Sequence, residues 1–390
     1  MSTVLPASEA LYRLLAIAWD PRAAPEPGCV PWEEVLDLVG HGNLSGLLHT
    51  LAADLRADMP PAVHQTLQAA HYAAIAANVR TLDQLEVVRA ALEPVGAPLL
   101  LLKGAALTED LYADLGPRLI GDIDLVTPKE VIPACRAALL ALGYTLDKVE
   151  ARAGSQSAWR SQEMLRPPSA TLTPVELHWH VLDVPYYMYR LPMDWFWEHS
   201  ASRVIGEQSY RVLDDVANMV YLPAHLALHH AFTGLHALYD LALLIARRQE
   251  RLDWGSVIAA ARTFELVSAL RETLDRLAQC WPELPLDEPR RLLAEVTPSR
   301  SDARLYRLLT THVHNTPLNI YTMLTSLPTT GARARYLWDN VFPQPAYMRA
   351  RYPVRRGWHL PWWYAWRALG GLLRFARALP RLVRQARSRD

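Results

Sequence analysis

Residues 121–126 read Gly-Asp-Ile-Asp-Leu-Val, and this short run constrains the fold more than any other stretch. Acidic and apolar residues alternate, so in an extended chain Asp122 and Asp124 share one face while Ile123 and Leu125 turn into the sheet packing. Two carboxylates side by side on a rigid strand repel each other, and a divalent cation relieves that repulsion. Gly121 leaves room for a ligand or neighbouring backbone just before them. A third acid appears in Pro-Val-Glu-Leu-His-Trp-His-Val, where Glu176, His178 and His180 fall on one face of a later predicted strand. If the two strands are neighbours, Asp122, Asp124 and Glu176 form a cradle for two metal ions. Taken alone, each run also reads as polar residues facing water at a strand end.

The flanking pattern supplies the rest of a small sheet. Pro94, Gly96 and Pro98 break the chain before four consecutive leucines, Leu99 to Leu102, whose shortness favours a buried strand. A helix is expected from Ala105 to Leu115, a strand from Leu119 to Val126, and a helix from Pro128 to Leu142 that ends at Gly143. A further strand is expected around Leu172 to Val181. This order predicts an α+β fold with a small mixed sheet, covered mainly on one face, between helical regions at either end. Upstream, Trp32, Val35, Leu36 and later Ile75, Val79 and Leu82 recur at helical spacing. Downstream, helical periodicity returns from Asp214, with a kink or boundary expected at Pro223. The expected units are a helical region 1–95, a core 96–205, a helical region 206–342 and a tail 343–390.

With 390 residues, 51% of them apolar, the chain can bury a sizeable core. Its formal charge of zero excludes a protein that coats nucleic acid through overall basicity. Cys29, Cys135 and Cys280 have no metal-type spacing and read as reduced core thiols. The first twenty residues lack a basic leader and a small-residue cleavage pattern, and no apolar run reaches the roughly 18 residues that span a bilayer. A cytoplasmic protein, soluble or peripheral to a membrane, is expected.

Other charged residues extend the picture. Gly104 opens a helix whose free amides suit phosphate oxygens, Lys103 adds a cation there, and Arg118 is a second candidate for neutralising phosphate. Either cation also reads as a surface residue paired with an acid. Asp240, set among apolar residues, needs a partner, and it either holds a histidine or arginine near the cleft or caps a local polar network. His225, His229, His230 and His236 lie close in sequence but lack a zinc-protease pattern, so hydrogen-bonded packing is the expected role. Near the end, Arg374, Arg377, Arg381, Arg384 and Arg387 interleave with Leu372, Leu373, Phe375, Leu379, Leu382 and Val383 as a basic amphipathic helix. The accompanying tryptophans, Trp358, Trp362, Trp363 and Trp366, either complete the core or dock a membrane or acidic partner.

The ordered set Lys103-Gly104, Ala106-Leu107, Tyr112, Arg118, Asp122-Ile123-Asp124-Leu125 and Leu177-His178-Trp179 resembles a family of uncharacterised nucleotidyltransferases, within the superfamily typified by DNA polymerase beta. The similarity reaches outward through His-Gly-Asn-Leu-Ser-Gly-Leu-Leu-His-Thr-Leu, Asn78, Leu-Ala-Leu-His-His-Ala-Phe, Asp240-Leu241 and Phe-Pro-Gln-Pro-Ala-Tyr-Met-Arg-Ala-Arg-Tyr. The resemblance implies a nucleotidyltransferase core that moves a nucleoside monophosphate from a triphosphate to an acceptor. Asp122, Asp124 and Glu176 would bind Mg²⁺ or Mn²⁺ and carry catalysis, with Lys103, Gly104, Arg118 and His178 on the nucleotide. ATP is the expected triphosphate, although nothing in the residues separates it from GTP, CTP or UTP. The acceptor is left open among a small molecule, a peptide, a protein and an RNA. Two departures from the superfamily pattern stand out: Lys103-Gly104 replaces the usual Gly-Ser, and the gap from Gly104 to Asp122 is long. An inactive adaptor that keeps the fold and docks through its tail is the alternative reading.

Overall fold

The computed structural model describes residues 4–40, 44–112, 114–152, 154–311 and 316–387, with side chains described except at 56–57, 156–157, 311, 316–319 and 378–387. His41, Gly42 and Asn43 therefore lie outside the described residues, as do the side chains of Leu379, Arg381, Leu382, Val383, Arg384 and Arg387.

Short amphipathic helices, Ala7–Ala16, Trp32–Val39 and Ser45–Leu51, pack with the 32-residue helix Pro61–Leu92 at the N-terminal end. Seven strands follow: β1 (Leu100–Leu102), β2 (Ile123–Val126), β3 (Thr145–Leu146), β4 (Gln162–Arg166), β5 (Val175–His178), β6 (Ser200–Ile205) and β7 (Gln208–Leu213). They form one mixed sheet in the order β3-β4-β5-β2-β1-β7-β6. Two pairs, β1 with β7 and β2 with β5, are parallel, and the remaining neighbours are antiparallel. The α+β arrangement read from the pattern is the one observed.

Strand alternation divides the sheet into two unlike faces. Leu101, Ile123, Leu125, Val175 and Leu177 join Leu85, Val88, Ile132 and Leu139 in a dry layer beneath the helices Pro61–Leu92 and Ile132–Ala141. Leu100, Leu102 and Val126 enter the larger core built by the N-terminal helices and the helices Asp215–Leu228, Leu235–Arg248, Trp254–Thr263 and Val267–Cys280. Both faces are thus covered, where sequence alone suggested one. The second cover comes from helices that precede the sheet and helices that follow it, beginning at Asp215.

Several local boundaries moved for identifiable reasons. The helix expected from Ala105 starts at Lys103, which takes a left-handed backbone conformation (φ +49°) to turn the chain directly out of β1, and it ends at Leu111. The strand expected from Leu119 is confined to Ile123–Val126 because buried Asn78 captures the preceding backbone: its Nδ2 donates to Leu115 O at 2.7 Å and Arg118 O at 2.6 Å, and its Oδ1 accepts from Ile120 N at 2.8 Å. The helix Asp215–Leu228 runs through Pro223 without ending there. The hairpin β6–β7 was not read from sequence; it carries the sheet past residue 205 to Leu213 because β7 pairs with β1. The C-terminal tryptophans divide. Trp363 stacks on Tyr352 with ring centroids 5.3 Å apart, whereas Trp358, Trp362 and Trp366 face solvent.

Candidate active site

The parallel pairing of β2 and β5 sets Asp124 directly beside Glu176 and Val126 beside His178. Three polar side chains are thereby brought onto the face that also carries Leu100 and Leu102, at the end where that face turns from apolar to acidic. Asp124 is fully buried, and Asp122 stands one position before β2, partly exposed. Lys103 Nζ donates to Asp124 Oδ1 at 2.8 Å, and His178 Nε2 reaches the same oxygen at 2.8 Å. His178 Nε2 also lies 3.3 Å from Glu176 Oε2, to which Gln162 Nε2 on β4 donates at 3.1 Å. Among the described residues, one group of three metal-competent side chains brings its ligand atoms within 4.8 Å of one another, and it is Asp124, Glu176 and His178.

Electrostatics separate the two aspartates. Repulsion from Asp124, followed by burial, pushes the Asp122 carboxyl up to about 6. For Asp124 burial opposes ionisation, but the Lys103 ammonium and His178 hold its carboxyl below the usual range. Burial likewise disfavours charge on His178, and Asp124 and Glu176 outweigh it, raising the imidazole above its ordinary value. Asp124 Oδ2 is buried with no hydrogen-bond partner. An orphaned carboxylate oxygen beside two further acids is a donor set that suits a hard divalent cation, so the residues fit a metal of the Mg²⁺ or Mn²⁺ kind.

Arg118 sits differently from a surface phosphate ligand. Its Nε lies 3.0 Å from both Asp240 oxygens and its Nη2 lies 2.9 Å from Oδ2, while the Tyr112 hydroxyl donates to Oδ1 at 2.6 Å. Arg118 is the partner that the apolar setting of Asp240 required, and Asp240 in turn fixes the guanidinium from helix Leu235–Arg248. Burial works against the Arg118 charge, and Asp240 restores it. The third nitrogen, Nη1, lies against Gly104, where an added Cβ would come within 2.6 Å of it. Because the fork is pinned through two of its nitrogens, Nε and Nη2, the arginine cannot swing aside. Gly104→Ala is therefore expected to strain the pair and destabilise the fold by about 1–3 kcal/mol, to be read by urea unfolding. An unchanged midpoint would remove the close-contact role of Gly104.

Sequence reasoning missed Tyr221, whose buried hydroxyl has no hydrogen-bond partner and lies within electrostatic reach of Lys103, Asp124, Asp122 and Glu176. Its helical spacing looks like ordinary core, so no local signal marks it. The four histidines pack near the same end of the molecule: His225 and His229 stack at 5.0 Å, and His225 Nε2 lies 3.0 Å from His230 Nε2. Burial, first among its causes, holds His225 well below its ordinary value, which keeps the ring neutral. His180 bonds the backbone carbonyl of Leu191 at 3.1 Å and turns away from the acids.

A chamber of about 900 Å³ lies on the far side of Arg160 from Glu176, and Asp122, Asp124 and Glu176 are not among the residues that line it. Its inner wall includes Trp159, Arg160, Asp183 and His229, and its outer wall Met323, Tyr336, Tyr347 and Arg351. A smaller recess reaching Glu176 and Gln162 shares Lys148, Glu150 and Arg160 with it.

Acids gathered at adjoining strand ends, with fixed cations beside them and helices over both sheet faces, define an α+β protein with an acidic, metal-competent centre. Residues 28–282 match the family described as uncharacterised nucleotidyltransferase, and the chain belongs to that family. A general nucleotidyltransferase role follows from that membership. No curated protein and no solved structure matches the chain.

Proposed function

We propose that the protein transfers a nucleoside monophosphate, with ATP as the first donor to test, to an acceptor held in the chamber. The observation that carries this reading is the β2–β5 register, which puts Asp124 against Glu176 and leaves Asp124 Oδ2 without a partner. Asp122, Asp124 and Glu176 would hold Mg²⁺ or Mn²⁺, which when bound polarises phosphoryl oxygens and lowers the pKa of an attacking hydroxyl. Lys103 and Arg118 supply fixed positive charge for the triphosphate, with the amide of Gly104 between them. His178 steadies the acids. In the reaction, the acceptor oxygen bonds to the α-phosphorus, the bond from that phosphorus to the bridging oxygen breaks, and pyrophosphate leaves. The acceptor proton passes to Glu176 or a water it orients. We take as working units a helical region 1–95, a core that begins at 96 and is extended from 205 to Leu213 to include the hairpin β6–β7, a helical region from there to 342 and a tail 343–390.

The chamber bears on the acceptor. Its outer wall comes from residues beyond the matched range of 28–282, among them Tyr347 and Arg351. Asp183 is engaged by Arg160, and Asp339 by Arg152, while Arg351 has no ion-pair partner among the described residues. Aromatic walls with one uncommitted arginine suit a small molecule or peptide end with an apolar body and an anionic group. Arg351→Ala should raise the acceptor KM about tenfold, the loss of one charged hydrogen bond, and leave the nucleotide-induced thermal shift unchanged. An equal loss of nucleotide binding would move Arg351 into the triphosphate site.

The deciding experiment supplies the full chain with Mn²⁺ or Mg²⁺ and a non-hydrolysable ATP analogue, then α-labelled ATP with cell extract. A metal-dependent rise in melting temperature and label on an acceptor are expected, because a ligand of the native state raises its stability. No shift with ATP, GTP, CTP or UTP would favour the adaptor reading.

A further inference from the structure

Among the described side chains, the last helix, Leu360–Arg387, meets the body through Trp363, Tyr364 and Arg367. The Tyr364 hydroxyl donates to Pro343 O at 2.5 Å, and Arg367 Nε donates to Asn340 O at 2.9 Å. On the other side, Trp358, Trp362, Trp366, Leu369 and Leu373 follow one another at intervals of four, four, three and four residues and are 72%, 67%, 57%, 55% and 49% exposed. This is a continuous apolar stripe, where folded monomers normally show isolated residues. From Arg349 to Arg389 the chain carries eleven arginines and no acid, within a molecule of zero formal charge. Arg374 and Arg377 are exposed on the same helix.

We propose that this helix docks the protein on the surface of an anionic phospholipid bilayer. Tryptophan rings settle at the headgroup level, leucines enter the acyl boundary, and arginines meet lipid phosphates. No helix among the described residues is long and apolar enough to cross a membrane, so the helix lies along the surface. Charge complementarity selects anionic lipid, and the aliphatic half of the stripe argues against single-stranded RNA, whose bases stack on aromatic rings but gain little from leucine. Each arginine brought to such a surface multiplies affinity by about fivefold, and salt weakens the attraction.

The test uses the full chain, because cutting after Pro343 would also remove Tyr347 and Arg351 from the chamber. Flotation with phosphatidylcholine vesicles that contain phosphatidylglycerol is expected to carry the protein, with blue-shifted tryptophan emission, and pure phosphatidylcholine is expected to carry at least tenfold less. The triple variant Trp362→Ala/Trp366→Ala/Leu369→Ala should lose binding at least tenfold with an unchanged melt, since these side chains are exposed. Arg374→Glu/Arg377→Glu should abolish the preference for anionic lipid. Failure to float on anionic vesicles, or flotation indifferent to both variants, overturns the proposal. Poly(U) binding that depends on the same tryptophans, without vesicle binding, would assign the surface to nucleic acid instead.

Discussion

Replacing Asp122 by Asn is expected to abolish nucleotidyl transfer while making the metal-free protein more stable. The change from 3.8 to about 6 means that the folded state holds the Asp122 proton more tightly than the unfolded chain does. Stability therefore falls as pH rises between those values, and above about pH 6 the ionised carboxylate costs on the order of 2–3 kcal/mol. Asp122→Asn removes that cost, so its metal-free melt at about pH 7.5 should lie above the wild type, and the gap should close toward pH 4. Asp124→Asn should behave in the opposite way. Asp124 is the carboxylate on which Lys103 and His178 converge. Weakening it leaves a buried ammonium poorly compensated, at roughly 3–5 kcal/mol. Both variants should lose transfer by about 10³-fold or more, the loss of several kcal/mol of transition-state charge stabilisation. Melts with and without Mn²⁺ at two pH values, beside a label-transfer assay, separate these outcomes. A destabilised Asp122→Asn protein would contradict the electrostatic account, and near-normal turnover in either variant would rule out the carboxylate cradle.

Breaking the Arg118–Asp240 pair should produce the second large effect. Asp240→Ala strands a guanidinium whose side chain is 13% exposed and removes the acceptor of the Tyr112 hydroxyl, so a loss of about 3–5 kcal/mol is expected. The double variant Arg118→Met/Asp240→Leu replaces the pair with apolar side chains and should recover most of that stability. Transfer should not recover, because the fixed cation beside Gly104 is gone. Chemical unfolding and label transfer measured on the same preparations distinguish a structural pair from one that also serves phosphate. Recovery of both properties in the double variant would confine Arg118 to a structural role.

Much of the core was legible because its signals are local. Four leucines between breakers read as a strand, and Leu100–Leu102 forms β1. Gly143, expected to end a helix, has φ +89° after the helix Ile132–Ala141. The strands β3, β4, β6 and β7 were not read; of these the two-residue edge segment Thr145–Leu146 carries too few side chains for an alternation to register. Tyr221 and Gln162 could not be singled out, because neither spacing nor residue type sets them apart from ordinary packing and strand residues.

Alternation along residues 121–126 was enough to turn Asp124 away from Ile123 and Leu125, because side-chain direction in a strand depends only on sequence parity. The breakers and helical periodicities likewise determined that an α+β core would stand between helical regions. Tertiary structure alone decided that β5 runs parallel to β2 with Glu176 opposite Asp124, that Asp240 grips Arg118 from 122 residues away, and that residues beyond 282 wall the chamber. Those relations depend on which distant surfaces meet when the core closes. A local pattern specifies the faces a segment offers, but not the partner that covers them.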